Sequence, residues 1–324
     1  YDLYIAQSSE EVYKYANTYA YFNVKATSAL SVVLGFSYDR IDADYLSAVE
    51  NSIAVFIPFP PPGGFVAVAS NDKAEDRDTF SEVSPKIGFE YQLAPGSSLR
   101  LAYFKSLSRP VAANQTIEPT QFVGFNQFYD DPNFSTSKNI SFGINQQISD
   151  AMYFDVSVAE REVDFTVWDA DVNDYLEYKF DELILDASFH SRVGRSAAVS
   201  VGLEWNQRDN NEFGMGAANL SDSLDVLVVP VELVLVGKNG VLFGVNQSYY
   251  SHDVMGSTPL QGESRKSAWV TSVSLDIDLP KRLGALRFGV ENILGVDEEI
   301  SNYDGSKLNF YPDRFYYCSI NLSI

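Results

Sequence analysis

Blocks of about ten residues along this chain alternate between apolar and polar side chains with a period of two. In the segment 269–279, one face reads Trp, Thr, Val, Leu, Ile and Leu, and the other reads Val, Ser, Ser, Asp and Asp. Successive side chains of a β-strand point to opposite faces, so each block predicts a strand with one apolar and one polar face. Repeated blocks of this length, separated by turns, are the sequence signature of a transmembrane β-barrel.

The connectors between these blocks alternate in length. Short turns, such as Pro95-Gly96-Ser97 and Lys238-Asn239-Gly240, alternate with long acidic loops. Bacterial outer-membrane barrels have short periplasmic turns, long external loops and an even number of strands. The predicted strands are 1–7, 11–25, 29–42, 84–93, 98–108, 137–148, 152–168, 175–193, 197–207, 224–236, 241–252, 267–279, 285–293 and 314–324, with a long connector over 43–80.

These patterns predict an all-β fold, an antiparallel up-and-down transmembrane β-barrel of about fourteen strands in the bacterial outer membrane. Residues 1–324 form a single barrel domain, which is either a whole protein or the C-terminal part of a longer one. The expected surroundings are outer-membrane lipid and lipopolysaccharide. A soluble β-sandwich is the alternative, but its strands average about five or six residues, and so many long apolar faces would leave too much hydrophobic surface in water.

Composition narrows the classes of function. A net charge of −21 excludes nucleic acid as a partner, because binding it requires basic patches. The acids concentrate in the predicted loops, where they either keep the loops soluble or bind divalent cations near an anionic lipid surface; none has the spacing of a calcium loop. The single cysteine, Cys318, excludes an internal disulfide. No metal site and no cofactor are predicted.

The polar faces of the predicted strands carry charges of both signs. We expect these side chains to line the lumen, either around a water-filled or loop-plugged passage for a polar solute, or as ion pairs that stiffen the wall. The predicted lumen-lining residues are Lys86, Glu90, Arg100, Asn145, Arg161, Asp186, Arg192, Glu204, Asp276, Arg287 and Glu291.

Two loops are unusually rich in apolar residues. The loop 51–70 is interrupted by prolines, and it could fold into the lumen, contact a partner or extend a hairpin above the membrane. The loop 109–131 is expected to line the external mouth, where aromatic rings could stack on sugars or siderophores. The predicted external-loop contacts are Phe56, Phe59, Phe65, Phe122, Phe125, Phe128 and Tyr129.

No catalytic constellation is recognisable. The chain has two histidines, His190 and His252, on separate predicted strands, and it lacks a phosphate-binding loop, a cysteine cluster and a nucleophile elbow. Ser251-His252-Asp253 are adjacent in sequence, but catalytic triads assemble in space. The protein is therefore not expected to be an enzyme.

Three stretches resemble known outer-membrane barrels. The strand pair Ser84–Tyr91 and Leu99–Phe104 resembles a pair common in TonB-dependent receptors, and Gly289–Gly295 is similar to their penultimate-strand motif. The segment 109–128 resembles barrels that follow tetratricopeptide repeats. The receptor resemblance implies about 22 strands and a plugged lumen, whereas this chain has room for about fourteen strands and shows no plug. Its last residue is Ile324, where an aromatic residue is usual.

The resemblances and the length together predict a pore or export channel for a polar solute or polymer, either alone or as one part of an envelope complex with a periplasmic or envelope protein partner. The alternative is the C-terminal barrel portion of a TonB-dependent receptor that imports a siderophore or glycan. A closed structural barrel is the second alternative.

Overall fold

A computed structural model describes residues 3–57, 64–109, 118–129, 131–169, 174–210, 221–237, 240–256, 263–280, 283–296, 299–301, 308–310 and 313–322. Thirteen strands form one antiparallel sheet in chain order. They are β1 (Leu3–Lys25), β2 (Leu30–Ile57), β3 (Gly64–Ala94), β4 (Ser97–Leu107), β7 (Thr136–Ser149), β8 (Met152–Asp169), β9 (Asp174–Val193), β10 (Ala197–Asn210), β11 (Ser221–Val236), β12 (Val241–Gly256), β13 (Glu263–Asp278), β14 (Gly284–Glu291) and β17 (Phe315–Leu322).

Two small hairpins lie outside the main sheet: β5 (Gln121–Phe122) with β6 (Phe125–Asn126), and β15 (Glu299–Ser301) with β16 (Leu308–Phe310). Every strand of the main sheet pairs with the next one in its order, which confirms the predicted all-β, antiparallel, up-and-down arrangement. Among the described residues, β1 and β17 are the two edges of this sheet. No helix in the described part of the chain is long and apolar enough to span a membrane.

The structure corrects two of the predicted boundaries. The first two predicted strands are one continuous strand, β1. The predicted connector over 43–80 belongs instead to a long hairpin, in which β2 and β3 stay paired from Leu30↔Tyr91 to Ile57↔Gly64. The sequence concealed this extension because residues 43–80 do not alternate regularly between apolar and polar side chains and are interrupted by several prolines.

The outward face of the sheet carries an apolar band that begins at the short turns. Its side chains are exposed, with Phe22, Ile140 and Ile320 at 59%, 55% and 63%. Towards the long loops the band ends in aromatic residues such as Trp269, and Trp205 there donates a hydrogen bond from Nε1 to Asp225 Oδ1 at 2.9 Å. An apolar band bordered by aromatic rings matches the hydrocarbon layer and its interface in outer-membrane barrels.

The opposite, inner face carries the polar positions and the tightest packing. Buried side chains on this face include Ser84, Lys86, Phe104, Asn139 and Arg161. These residues belong to neighbouring strands, and the register places Lys86, Phe104, Asn139 and Arg161 in one row across the sheet.

Pro230 lies in a central strand, although a proline removes a hydrogen bond from the ladder. The register of β10 with β11 passes from Val201↔Val231 to Glu204↔Val228, so it skips Pro230 and Val229 on β11 and the two residues opposite them on β10. Gly202 faces the proline ring, and a Cβ added at Gly202 would lie 2.8 Å from Pro230 Cγ. The glycine therefore provides the space that allows a proline inside this sheet.

Candidate functional site: the lumen wall

A segment between β4 and β7 folds back onto the inner face of the sheet. We call residues 118–129, which contain β5 and β6, the inner hairpin. Its tip, Val123-Gly124, has positive φ angles of 51° and 78°. The tip packs against Gly88 of β3, where an added Cβ would lie 2.3 Å from Val123 Cγ2. A glycine is thus required at this point of the wall for the hairpin to approach it.

Aromatic rings attach the hairpin to the wall. Phe122 and Phe125 are 2% and 6% exposed and form one buried cluster with Ala102 and Phe104 of β4. The rings of Phe104 and Phe122 meet edge to face with centroids 6.0 Å apart. Burying a phenylalanine side chain stabilises a structure by about 1.5–3 kcal/mol, so this cluster is a strong attachment.

A buried ionic network holds the first residue of the hairpin. Glu118 lies 2.8 Å from Lys86 Nζ and 3.2 Å from Arg109 Nη2, and Arg109 Nη2 also contacts Asp39 Oδ1 at 2.9 Å. The Arg109 guanidinium is sandwiched between the rings of Tyr15 and Tyr129, 4.8 Å from each centroid. Two carboxylates thus face two cations in a site closed to water, which avoids an uncompensated buried charge.

This network also sets the ionisation of Glu118. Burial alone would raise the pKa of its carboxyl, but the Lys86 ammonium, a hydrogen bond from Tyr21 Oη at 2.8 Å and Arg109 together hold that pKa below its usual range. Glu118 is therefore a carboxylate at neutral pH, as its two cationic partners require.

A second arginine holds the end of the hairpin. Arg161 Nη2 donates to Asp131 Oδ2 at 2.6 Å, its Nε donates to Asn139 Oδ1 at 3.0 Å, and its Nη1 donates to Glu182. The same guanidinium stacks over the Phe128 ring at 4.0 Å. Arg161 thereby links the chain just after the hairpin to β7, β8 and β9.

The wall formed by β9 to β14 has a different inner face. Glu204, Glu232 and Glu291 are exposed there, and the register places Asp186 directly opposite Glu204. Arg287 is 57% exposed and pairs with Asp276, with Nη2 3.1 Å from Oδ2. This inner face retains accessible charges that the inner hairpin does not cover.

The predicted lumen-lining residues therefore fall into two groups. Lys86 and Arg161 lie on the inner face but are buried under the hairpin, and half-buried Arg100 donates to Val123 O at 3.3 Å and to Asn145 Oδ1 at 3.1 Å. The others lie on the inner face at exposed or half-buried positions: Glu90, Asn145, Asp186, Arg192, Glu204, Asp276, Arg287 and Glu291.

The predicted external-loop contacts also divide. Phe122 and Phe125 are buried on the inner wall, and Phe128 and Tyr129 are half-buried beside them. Sequence reasoning missed Asp39 and Glu118 as anchors. Phe56 and Phe65 are paired in the β2–β3 extension, although their side chains, like the whole of Phe59, lie outside the described residues.

The adjacent residues Ser251, His252 and Asp253 do not converge on one face of the sheet. His252 lies on the inner face of β12, and its sequence neighbours Ser251 and Asp253 point outward, because adjacent strand residues face opposite sides. His190 is hydrogen-bonded on both ring nitrogens, to Ser188 Oγ and Ser200 Oγ at 2.9 Å each. Within the described ranges, no group of three or more His, Cys, Asp or Glu residues could hold a metal ion.

An up-and-down sheet with an apolar outer band and a polar, partly filled inner face defines the wall of a bacterial outer-membrane β-barrel. The family model for the TonB-dependent receptor-like β-barrel matches residues 1–293, and the chain belongs to this family. It is a family of receptor and transport barrels and not of enzymes. A search of curated proteins finds no match.

Solved receptor structures share the fold. The ferric-catecholate import receptor Fiu from E. coli K12 matches with a TM-score of 0.64 and 14% identity, over 97% of this chain and 45% of the receptor. The siderophore receptor PirA from Pseudomonas aeruginosa matches with a TM-score of 0.53 and 11% identity, over 97% of this chain and 57% of that one. The E. coli outer-membrane transporter YddB matches with a TM-score of 0.53 and 11% identity, over 97% of this chain and 54% of the transporter. The chain thus spans about half the length of these proteins.

Proposed function

We propose that this chain forms part of the barrel wall of an outer-membrane receptor that imports a scarce polar cargo, of the iron-chelate or glycan class, with energy supplied through a TonB-type periplasmic partner. The observation that carries this proposal is the family match over residues 1–293. A lipid-facing outer band with a polar inner face provides the wall that such a receptor needs.

The cargo class draws support from the structural neighbours. Fiu is a ferric-catecholate import receptor, and another matching structure is the ferripyoverdine receptor of Pseudomonas aeruginosa, at a TM-score of 0.53 and 10% identity. A copper transporter, OprC, also shares the fold with a TM-score of 0.51. These proteins carry different cargoes on one fold, so the fold supports the transport class and leaves the cargo to the lumen residues.

Import is favoured over the pore or export channel that the sequence length suggested. The matching family is that of the TonB-dependent receptor barrels, and Fiu and PirA are receptors rather than tetratricopeptide-linked export barrels. The inner hairpin also fills part of the inner face, whereas an open diffusion pore requires a water-filled lumen.

Energised uptake tests the proposal. Cells that carry or lack the gene are given iron as a neutral hydroxamate chelate, iron as an anionic catecholate chelate, and labelled maltodextrins, with and without a protonophore. We expect gene-dependent uptake of one probe class that the protonophore abolishes. Equal uptake by both strains for every probe would refute import, and gene-dependent uptake that ignores the protonophore would indicate a passive pore.

A further inference from the structure

The inner hairpin presents a neutral surface above a charged wall. Building on the import function proposed above, we infer that this hairpin is a fixed part of the lumen wall and that its exposed amide pair, Gln121 and Asn126, contacts the uncharged hydroxyl and amide groups of the cargo. The charged residues beneath it hold the hairpin and do not touch the cargo.

The fixed position follows from attachment at both ends and at the tip. Glu118 is held by Lys86 and Arg109 at the start, and Phe128 and Asp131 are held by Arg161 at the end. Between them, Gln127 Nε2 donates to Pro119 O at 2.7 Å and closes the base of the hairpin. Release would expose two phenylalanines and separate several buried ion pairs at once, so the docked form is strongly favoured.

The tip supplies the third attachment. Arg100 Nη1 donates to Val123 O at 3.3 Å, and the guanidinium lies 4.8 Å from the Phe125 ring centroid. Val123 also fills the space that Gly88 leaves on β3. Because the hairpin is held at its start, tip and end, no segment of it is free to move away from the wall.

The amide pair lies on the side of the hairpin that faces away from the wall. Gln121 and Asn126 are exposed, whereas their strand neighbours Phe122 and Phe125 are buried, as the alternation of a two-stranded hairpin requires. Gln121 Nε2 donates to Asn126 Oδ1 at 3.2 Å, so the two amides form one platform. The exposed face of the hairpin at this pair is therefore uncharged.

The chemistry of this platform selects its ligand. Each amide offers two N–H donors and a carbonyl with two lone pairs, and the bond between them leaves most of this capacity unused. Hydroxyl and amide groups match such a surface in both directions. An anionic group gains only the donors there, because the exposed hairpin residues carry no charge and Lys86 and Arg109 are buried in ion pairs with Glu118.

Thiol accessibility tests the docked position without any cargo. In a Cys318→Ser background, Gln121→Cys, Asn126→Cys, Phe122→Cys and Phe125→Cys are each exposed on intact cells to a cationic and an anionic methanethiosulfonate reagent. We expect both reagents to label the amide positions at least tenfold faster than the phenylalanine positions. Equal labelling of all four would overturn the docked hairpin.

A disulfide tests whether the hairpin stays in place during transport. In the double variant Gly88→Cys/Val123→Cys, the branched methyl groups of Val123 are absent, and its Cβ lies 3.2 Å from the position of a Cβ at residue 88. Disulfides need about 3.5–4.5 Å, so a shift of a few tenths of an ångström suffices. We expect the bond to form and uptake to be equal in the oxidised and reduced states. Failure to form, or uptake only when reduced, would overturn the fixed wall.

Charge substitution tests the contact with cargo. Gln121→Lys/Asn126→Lys should shift the uptake ratio of the anionic catecholate chelate to the neutral hydroxamate chelate upward by about tenfold, and Gln121→Ala/Asn126→Ala should lower uptake of the neutral chelate without that shift. An unchanged ratio in the lysine variant would refute the contact. If the unmodified protein takes up neither chelate nor maltodextrin, the proposed function and this contact fail together, while the labelling result still decides the hairpin's position.

Discussion

Two parts of the same sheet differ in how far the polar side chains of their inner face are buried. In the covered wall, formed by β1–β4, β7 and β8, the inner hairpin buries Lys86 and Arg161 to 3% and 4% exposure. In the open wall, formed by β9–β14 and β17, Glu204 and Arg287 stay exposed. Both walls show the same alternation in sequence. Whether a polar inner face becomes a packed core or a water-facing surface is thus decided by a returning loop and not by the strands themselves.

The difference between the walls also changes what a charged side chain contributes. Under the hairpin, Lys86, Arg109 and Arg161 each lie close to a carboxylate and are shielded from water, so removing one partner leaves the other buried without an opposite charge. On the open wall, water solvates charges such as Glu204 and Arg287, and ion pairs at such exposed positions contribute little. The sequence left open whether the inner charges face a passage or form ion pairs that stiffen the wall. The structure shows paired, buried charges in the covered wall and exposed charges in the open wall.

The largest expected difference between the two walls comes from removing Arg109, the cation that contacts both Asp39 and Glu118 in the covered wall. Arg109→Ala would leave Asp39 and Glu118 buried with one cation between them, and we expect the free energy of unfolding to fall by about 3–5 kcal/mol. Urea unfolding of the protein in lipid vesicles measures this change. Arg287→Ala on the open wall is the matched control and should lower stability only slightly. Similar losses for both variants would mean that the walls do not differ.

A smaller change targets the contact between hairpin and wall. Gly88→Ala places a methyl group against Val123 and Phe122, which cannot move without lifting the tip. We expect a loss of about 1–3 kcal/mol, the usual cost of overpacking, together with faster thiol labelling at Phe122→Cys. Gly244→Ala on the open wall meets only the Ser274 hydroxyl, which can rotate away, and should be nearly neutral. A neutral Gly88→Ala would contradict close docking.

Acidification should weaken the attachment of the inner hairpin to the covered wall. The pKa of Glu118 is lowered, so its stabilising contribution is present above the unfolded-state pKa, about 4.3, and is lost as the pH falls below that value through the folded-state pKa. A bimane dye on Asn126→Cys in the Cys318→Ser background reports the hairpin during acid titration. We expect an unchanged signal down to the ordinary glutamate range and a transition below it. Glu118→Gln should remove this transition, and its persistence would assign it to another group.

The smallest expected effect has the opposite sign. Asp186 and Glu204 face each other across β9 and β10, and directly opposed like charges destabilise a sheet. Glu204→Gln should therefore stabilise the open wall by about 0.2–1 kcal/mol. Glu232→Gln, whose register partners are Ser200 and Asn246, should not. Equal effects of the two substitutions in urea unfolding would show that the repulsion between Asp186 and Glu204 does not lower the free energy of unfolding.

Most strands could be predicted because a strand inside a membrane must separate its two faces. The segments around 137–148 and 197–207 alternate cleanly and were placed to within a few residues, as β7 and β10. The extension of β2 and β3 was missed, because residues 43–80 show no regular alternation from which paired strands could be predicted. The compatibility of Pro230 with a central strand depends on Gly202 across the ladder, which the local sequence around Pro230 does not show.

Only part of the candidate site could be predicted from the sequence. Lys86 and Arg161 were identified as inner-face residues from alternation, but their burial depends on Glu118 and Asp131, which lie in a loop without periodicity. The same limit applied to Phe122 and Phe125, which were expected at the external mouth and lie instead in the wall. Glycines such as Gly88 on an otherwise side-chain-rich face are the signal that could have revealed a close approach.

The sequence by itself determined the two-sided ribbon, its chain-order pairing and the end of the sheet that carries the long loops, because membrane hydrocarbon imposes a period of two on every strand that crosses it. The tertiary structure alone decided which inner charges are covered. Residues as far apart in the chain as Asp39, Lys86 and Glu118 meet only when the loop returns to the wall. Contacts of that range depend on the backbone path, and no local pattern of residues encodes it.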